Sequence, residues 1–285
     1  MHMSKVALVT DTIACLPPDI VQEFNITVVP VVLIIDGKPH RDMIDISNDE
    51  FWRRFDSMQS FSTSAPSPGD FVKAFTEAGK ESTEIVCTLV SKALSATCQA
   101  ALQACIILKE QGSPLNIEVI DSRTAAGAQG FIALEGARAA RAGKTRTEVV
   151  ELMQGMISRV KWVNTLETTK YLIKIGRAPK TVPTEIFRQL KPMIAQLHNT
   201  GVVEDIGVAR SKEESFQKMV DIIGQNTDPG KPLHVNVHYT NNIEDGRRLE
   251  ALIKGRFPVI ESYLTPYSAL MSGTVGPCNA VAFYT

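Results

Sequence analysis

The chain has 285 residues, of which 44% are hydrophobic, with 30 basic and 31 acidic side chains. This composition is typical of a soluble globular protein and excludes a disordered or fibrous one. The formal net charge of −1 gives no general attraction for nucleic acid or an anionic membrane, so we expect neither as a partner. The longest apolar run that we find, residues 28–35, is far shorter than the ~20 residues of a membrane helix, which predicts no integral membrane segment.

The cysteines and the first residues predict a cytoplasmic protein. The chain has 5 cysteines, an odd number, and none of them forms a CxxC pair, which disfavours both a disulfide framework and a zinc site. Only a short apolar segment precedes Asp11, so we expect no signal peptide. We expect neither a metal nor a cofactor.

Short apolar strands alternate with helical segments in the first half of the chain. Strands are predicted at residues 6–9, 26–35, 84–89 and 117–120. Helices are predicted at residues 17–24, 67–78, 94–110, 124–142 and 147–159. Ser67 and Asp70 have the spacing of a capping box at the start of the second of these helices. Apolar strands separated by helices of this length indicate parallel β-α-β units covered on both faces.

The pattern changes after about residue 160. Residues 193–197 and 202–208 flank the turn Asn199-Thr200-Gly201 and predict a β-hairpin. The remaining elements are predicted as helices at 211–223 and 243–254 and strands at 233–239, 259–264 and 280–284. The fold class is therefore α/β with two α/β domains. Residues 1–160 form a mostly parallel sheet flanked by helices, and residues 161–285 form a mixed sheet with helices.

Two motif-like segments do not support a site. Gly143-Lys144-Thr145 resembles the end of a phosphate-binding loop, but the required earlier glycine is Arg138, inside a helical pattern, so a helix end is the better interpretation. His234 and His238 lie on a predicted strand, where four residues span ~13 Å, too far for one metal ion. No GxGxxG, GxSxG or HExxH pattern occurs.

Hydroxyl-rich segments follow three predicted parallel strands, and a fourth, residues 62–68, precedes a helix. The three are Thr10-Asp11-Thr12, residues 90–97 and Asp121-Ser122. In open α/β sheets, ligands bind outside the carboxyl ends of the strands, and a helix beginning near Ser95 would favour an anion. The same residues also fit helix caps and Ser/Thr turns, and composition leaves both interpretations open.

An ordered series of short motifs resembles the DegV family. Thr10-Asp11-Thr12 is similar to the family's TDS, residues 63–68 to TSQPSP, residues 91–99 to SSxLSGTYQ, and residues 165–177 to TLxxLxxGGR. Asp121-Ser122, Lys191-Pro192, Arg210 and Gly276-Pro277 follow in the expected order. Each motif alone is weakly specific, but the series covers essentially the whole chain.

The resemblance implies a protein that binds one long-chain fatty acid, of about 14 to 18 carbons, in a buried tunnel between or within two α/β domains. Burial of such a chain contributes ~0.8 kcal/mol per methylene. In many bacteria such proteins are the non-catalytic subunit of a fatty acid kinase, whose other subunit phosphorylates the carboxyl group. The family's pattern assigns ligand binding to Thr63, Ser64, Ser95, Ala96, Thr97 and Thr274, and phosphate or kinase contact to Arg210.

The chain departs from the family pattern near the expected carboxylate site. The family's LSGTY has Ala96 and Cys98 here, and its late HTGPG has Thr274 for the histidine and Cys278 for the last glycine. Because these departures alter the expected carboxylate site and not the lipid tunnel, they weaken the inference of a kinase partner more than the inference of lipid binding. The alternative function is an enzyme that acts on a small carboxylated or phosphorylated metabolite at the same strand edge.

Overall fold

The computed structural model describes residues 6–168, 171 and 190–285. Leu172, Gly176 and Arg177, which belong to the expected TLxxLxxGGR motif, lie outside the described residues. The strands are β1 (Ala7–Asp11), β2 (Thr27–Val29), β3 (Val32–Ile35), β4 (Lys38–Arg41), β5 (Phe61–Ser64), β6 (Glu84–Leu89), β7 (Asn116–Asp121), β8 (Lys161–Leu166), β9 (Lys191–Gln196), β10 (Glu204–Ala209), β11 (Leu233–Tyr239), β12 (Val259–Pro266) and β13 (Cys278–Tyr284).

The helices of the described residues are α1 (Pro18–Glu23), α2 (Asn48–Arg54), α3 (Pro68–Ala78), α4 (Thr97–Glu110), α5 (Ala126–Arg141), α6 (Arg146–Arg159), α7 (Lys212–Gln225), α8 (Ile243–Arg256) and α9 (Ala269–Val275). The fold class is confirmed as α/β. Ser67 and Asp70 form the predicted capping box of α3. Gly143, at φ +85°, follows α5 and Thr145 caps α6, which confirms the helix-end interpretation of that segment.

The first sheet is entirely parallel, with the strand order β2-β1-β6-β7. One prediction for this region is wrong. Residues 26–35 are not one strand, because Pro30 has no N–H to donate to a ladder and the chain changes sheets there. The first part, β2, pairs with β1, whereas β3 pairs antiparallel with β4 and β5 in a separate small sheet.

The second half contains the predicted mixed sheet, with the strand order β10-β9-β8-β13-β11-β12. The hairpin of β9 and β10 is confirmed as antiparallel, with an irregularity between Asp205 and Gly207. Only β11 and β12 are parallel in this sheet. His238 is buried within β11, where its Nε2 accepts from the backbone N–H of Gly127, and burial lowers the pKa of His238 to about 3.

Helix α5 lies between the first sheet and the mixed sheet. It contacts β1 and β6 on one side and β8, β11 and β13 on the other. A Cβ on Gly127 would lie 2.4 Å from His238 Nε2 and 2.9 Å from the Ala282 Cβ, so only glycine permits this close approach. The main hydrophobic core contains residues from both sides of residue 160. The division into domains at that residue stays a prediction.

Candidate functional site

The carboxyl ends of three neighbouring parallel strands meet at one edge of the first sheet, as the sequence predicts. The backbone N–H of Val90, just after β6, donates to Asp11 Oδ2 at the end of β1 (3.0 Å). The N–H of Ser122, just after β7, donates to the Leu89 carbonyl (3.1 Å). The fourth hydroxyl-rich segment does not join this edge, because Ser62, Thr63 and Ser64 belong to β5 in the small antiparallel sheet.

Several of the hydroxyl groups at this edge are occupied by structural hydrogen bonds. Thr10 Oγ1 donates to the Thr88 carbonyl (2.8 Å), and Thr12 Oγ1 accepts from the Val31 N–H (3.2 Å). Ser91 Oγ donates to the Gly201 carbonyl (2.7 Å). For these residues the interpretation as turn-forming side chains is the better one. They fix the loops around a site without facing a ligand.

A cavity of about 50 Å³ lies where the strand ends of the first sheet, the mixed sheet and helix α9 meet. Its lining comes from the loops after β1, β6 and β7, from β8 and β9, from the chain before β10, and from α9. The lining residues are Ile13, Val90, Leu94, Ser95, Ala125, Trp162, Ile194, Val203, Leu270, Met271, Thr274 and Val275. Hydrophobic side chains dominate this lining, and none of these described residues is charged.

Ser95 and Thr274 are the polar side chains of the lining, and both belong to the expected site. Ser95 precedes α4, and its Oγ forms a hydrogen bond with Thr97 Oγ1 (2.8 Å). Thr274 is only 5% exposed, and its Oγ1 has no hydrogen-bond partner among the described residues. A buried hydroxyl without a partner destabilises a folded protein, which makes Thr274 the lining residue most in need of a ligand atom.

The other expected site residues lie around or away from this cavity. Ala96 is the exposed N-cap residue of α4, and Thr97 is its buried first residue. With this N-cap the helix therefore begins directly after Ser95, as expected for the carboxylate site. Thr63 is half-buried and Ser64 is exposed on β5, and neither lines the cavity. Arg210 is exposed just after β10, and its backbone N–H donates to the Glu214 carboxylate. Ser211 caps the following helix α7, its Oγ accepting from the Glu214 N–H (3.1 Å).

Thr63 is nonetheless close to the helix that carries Thr274. Phe61 lies two residues before Thr63 on β5, so the two side chains share a face of that strand. A Cβ on Gly273 of α9 would lie 2.4 Å from the Phe61 ring, which shows how closely β5 and α9 pack. The structure therefore places Ser95 and Thr274 in one cavity lining, Thr63 on the face of β5 that packs against α9, and Arg210 outside the lining.

Helix α9 is held in place by buried polar residues of the first half of the chain. Asp42 Oδ1 accepts from the Leu270 N–H (3.1 Å) at the start of α9. Asn48 accepts from Ser272 Oγ (2.6 Å) and donates to the Thr240 carbonyl (2.6 Å). No sequence signal selects Asp42 or Asn48, because an isolated Asp or Asn in a polar segment is typical of a surface loop.

Two buried carboxyl groups next to the cavity have raised pKa values. Burial raises the pKa of Asp42 to about 6, although hydrogen bonds from Ser268 and Leu270 oppose part of the rise. Burial also raises the pKa of Asp11 to about 6, against hydrogen bonds from Val90, Gln129 and Ile13, and the charge of Asp42 adds to the rise. Each group therefore binds its proton more tightly in the folded protein than in the unfolded chain.

We predict a pH-dependent stability to which Asp42 contributes. Because its pKa is higher when folded than the usual 3.8, its contribution is most favourable at low pH and declines as the pH rises from about 4 to about 6. When the pH is raised from 4.5 to 7, the free energy of unfolding of Asp42→Asn should therefore increase by about 1–3 kcal/mol relative to that of the parent. Urea unfolding at both pH values measures this difference.

Asp45→Asn is the matched control, because hydrogen bonds from Arg41 lower the pKa of Asp45 to about 2 and this group stays ionised over the same range. Its effect on the free energy of unfolding should be the same at both pH values. An Asp42→Asn effect that is equally independent of pH would show that Asp42 is ionised at pH 4.5 in the folded protein.

Comparison with known proteins gives one consistent result. The family model described as "Uncharacterised protein, DegV family" matches residues 5–285. A DegV domain-containing protein of Caldanaerobacter subterraneus is 24% identical over 283 residues, 99% of each chain. Within the described part of the chain, no helix has the length and apolarity to cross a bilayer, and no group of His, Cys, Asp and Glu side chains is arranged to hold a metal ion.

Solved structures share the fold over nearly the whole chain. A DegV family protein from Thermus thermophilus, described with fatty acid binding, has a TM-score of 0.88 at 22% identity and covers 99% of both chains. The Streptococcus pneumoniae Fatty Acid Kinase B3 protein, loaded with linoleic acid, has a TM-score of 0.83 at 22% identity and covers 98% of this chain and 99% of its own.

Proposed function

This chain belongs to the DegV family, and we propose from that premise that it binds one long-chain fatty acid in the cavity between its two halves. The observation that carries the proposal is the cavity itself. Its lining is apolar except for Ser95 and Thr274, and the Thr274 hydroxyl is buried without a partner. An apolar lining with two neutral hydrogen-bond donors complements an amphiphile with a small anionic head. The solved relatives described with fatty acids support this choice of ligand.

The acyl chain supplies most of the binding energy in this proposal. Burial of ten methylenes contributes about 8 kcal/mol before the costs of association. The head group then needs orientation more than strong electrostatic attraction, which suits a site without a charged side chain in its described lining. The cavity volume of about 50 Å³ is below the ~300 Å³ of small ligand pockets, so the lining must move to admit the chain. Met271, with three rotatable side-chain bonds, is the lining residue best able to move.

In this proposal the carboxylate binds to Ser95 and Thr274, the two hydroxyl-bearing residues of the lining. Both hydroxyl groups can donate a hydrogen bond to it, and the start of α4, immediately after Ser95, has a dipole that favours an anion. Thr63 lies on the face of β5 that packs against α9 and completes the head site from that side. Ser64 lies on the opposite, exposed face of β5 and is assigned to the rim of the head site. Ala96 and Thr97 line its helical side.

We predict that Thr274→Val weakens binding of palmitate by roughly 10- to 100-fold, because a hydrogen bond to a charged group is worth about 1.5–3 kcal/mol. Valine matches the shape of threonine and leaves no buried hydroxyl unpaired, so the ligand-free variant should be at least as stable as the parent. Fluorescence displacement of a labelled fatty acid, below the aggregation threshold of the ligand, measures the affinity.

Thr88→Val is the matched control for this variant. The Thr88 hydroxyl is also buried without a partner, but Thr88 lies within β6 and does not line the cavity. The control should keep the parent's affinity. Equal affinity for palmitate in the parent and Thr274→Val would place the head group elsewhere.

We further propose that the protein presents the bound carboxylate to the kinase subunit of a fatty acid kinase and has no catalytic activity of its own. Ser64 and Ala96 lie at the surface beside the proposed head site, so a partner that docks there can reach the carboxylate. Arg210 is exposed on the mixed-sheet half and stands outside the cavity. Its guanidinium is available for contact with the partner or with the phosphate that the partner transfers.

Arg210→Ala tests this partnership. The variant should bind palmitate as the parent does but support acyl phosphate formation by a purified kinase subunit at less than about one tenth of the parent's rate, because one charge-assisted contact is worth about 1.5–3 kcal/mol. Lys109→Ala, an exposed position on α4, is the control for loss of a positive charge. Equal rates for all three proteins would exclude Arg210 from the contact.

A further inference from the structure

Asn164 is a buried amide on the sheet face that forms one wall of the cavity. It lies on β8, two residues after Trp162, so both side chains point to the same face. Its direct neighbours on the adjacent strands are Ile194 of β9 and Ala280 of β13. Trp162 and Ile194 both line the cavity, which places Asn164 beside its lining. Its relative exposure is 0%.

Neither polar atom of the Asn164 amide has a nitrogen or oxygen hydrogen-bond partner among the described residues. Its amide contacts the buried Cys278 thiol, whose pKa burial raises and a side-chain hydrogen bond with Asn164 partly lowers; sulfur is only a weak hydrogen-bonding partner. Two other buried amides near the cavity are fully paired. Asn48 uses its oxygen and its nitrogen, and so does Gln196, which accepts from Thr124 and donates to the Gly201 carbonyl. Apart from this weak contact with sulfur, Asn164 keeps its donor and its acceptor unused beside an apolar wall.

A saturated or unsaturated hydrocarbon chain cannot satisfy such an amide. A hydroxyl group can, because it donates to the amide oxygen and accepts from the amide nitrogen at the same time. We propose that Asn164 makes the cavity selective for an acyl chain that carries a hydroxyl group at the depth of β8. This inference rests on the proposed function, and it narrows the ligand class from long-chain fatty acids in general to hydroxylated ones.

The first test needs no variant. Affinities for stearate and for hydroxystearates substituted at successive positions along the chain are measured with the parent protein. One positional isomer should bind roughly tenfold more tightly than stearate, because a net hydrogen bond to a buried amide is worth about that factor. The isomer preference also reports the depth of Asn164 from the head group.

The second test replaces the amide. Asn164→Leu removes both polar atoms at similar size, so it should bind stearate as well as or better than the parent and lose the preference for the hydroxylated isomer. Asn279→Leu is the matched control. The Asn279 amide nitrogen is also buried without a partner, but this residue faces the opposite side of the mixed sheet. Asn279→Leu should keep the parent's preference, and the melting temperature of each variant reports its folding.

The outcomes separate this inference from the proposed function. If neither stearate nor any hydroxystearate binds the parent, fatty acid binding itself is wrong. If stearate binds but every hydroxylated isomer binds more weakly, the selectivity of Asn164 is overturned. Loss of stearate and hydroxystearate binding to the same extent in a folded Asn164→Leu protein would also overturn it, because Asn164 would then hold the carboxylate.

Discussion

Helix α5 packs between two sheets at once, and the position of the cavity depends on that contact. The helix is built largely from Ala and Gly, and nearly all of its residues are buried. Small side chains let the first sheet and the mixed sheet approach from opposite sides, and Gly127 allows a backbone N–H to reach His238 on β11. The carboxyl ends of β1, β6 and β7 then face β8, β9 and α9 across a short gap. That gap is the cavity.

The hydrogen bonding of the polar residues around the cavity determines which ligand groups the cavity can bind. Asp42 and Asn48 use their hydrogen bonds to fix α9, and Thr10, Thr12 and Ser91 use theirs to fix the strand-end loops. Among the unpaired buried groups, Thr274 lines the cavity and Asn164 lies beside its lining. Unpaired groups also occur away from the cavity, at Thr88 and Asn279, so we assign the ligand's oxygen atoms to Thr274 and Asn164 because of their position at the cavity. The lining is suited to hold an amphiphile in one orientation.

Local sequence rules predicted the elements that depend on local chemistry. The Ser67 and Asp70 capping box, the parallel β-α-β pattern and the hairpin around Asn199 are all confirmed, because caps, periodicity and turn residues act within a few positions. The rules did not predict that residues 26–35 divide between two sheets, since that choice depends on distant partners. Helix α9 was missed because every one of its residues is buried, which leaves no polar face to mark helical periodicity.

The same distinction applies to the site. Ser95 could be selected from its place after a predicted parallel strand, and the structure puts it in the cavity lining. Thr274 could be selected only through the family resemblance, because a single threonine in an apolar segment has no local signal. Asn164 was not selected at all, since its significance comes from the absence of partners on neighbouring strands. Long-range packing determines the positions of Thr274 and Asn164 at the cavity, and local sequence patterns do not predict such packing.

Mass spectrometry of the protein, purified gently and sprayed under native conditions, measures most directly whether the cavity holds a fatty acid. One bound acyl chain of about 14 to 18 carbons per protein chain is the expected result, since burial of its methylenes at ~0.8 kcal/mol each keeps it bound through purification. A protein that is empty after purification, and that also fails to take up added palmitate or stearate, would contradict fatty acid binding in this cavity.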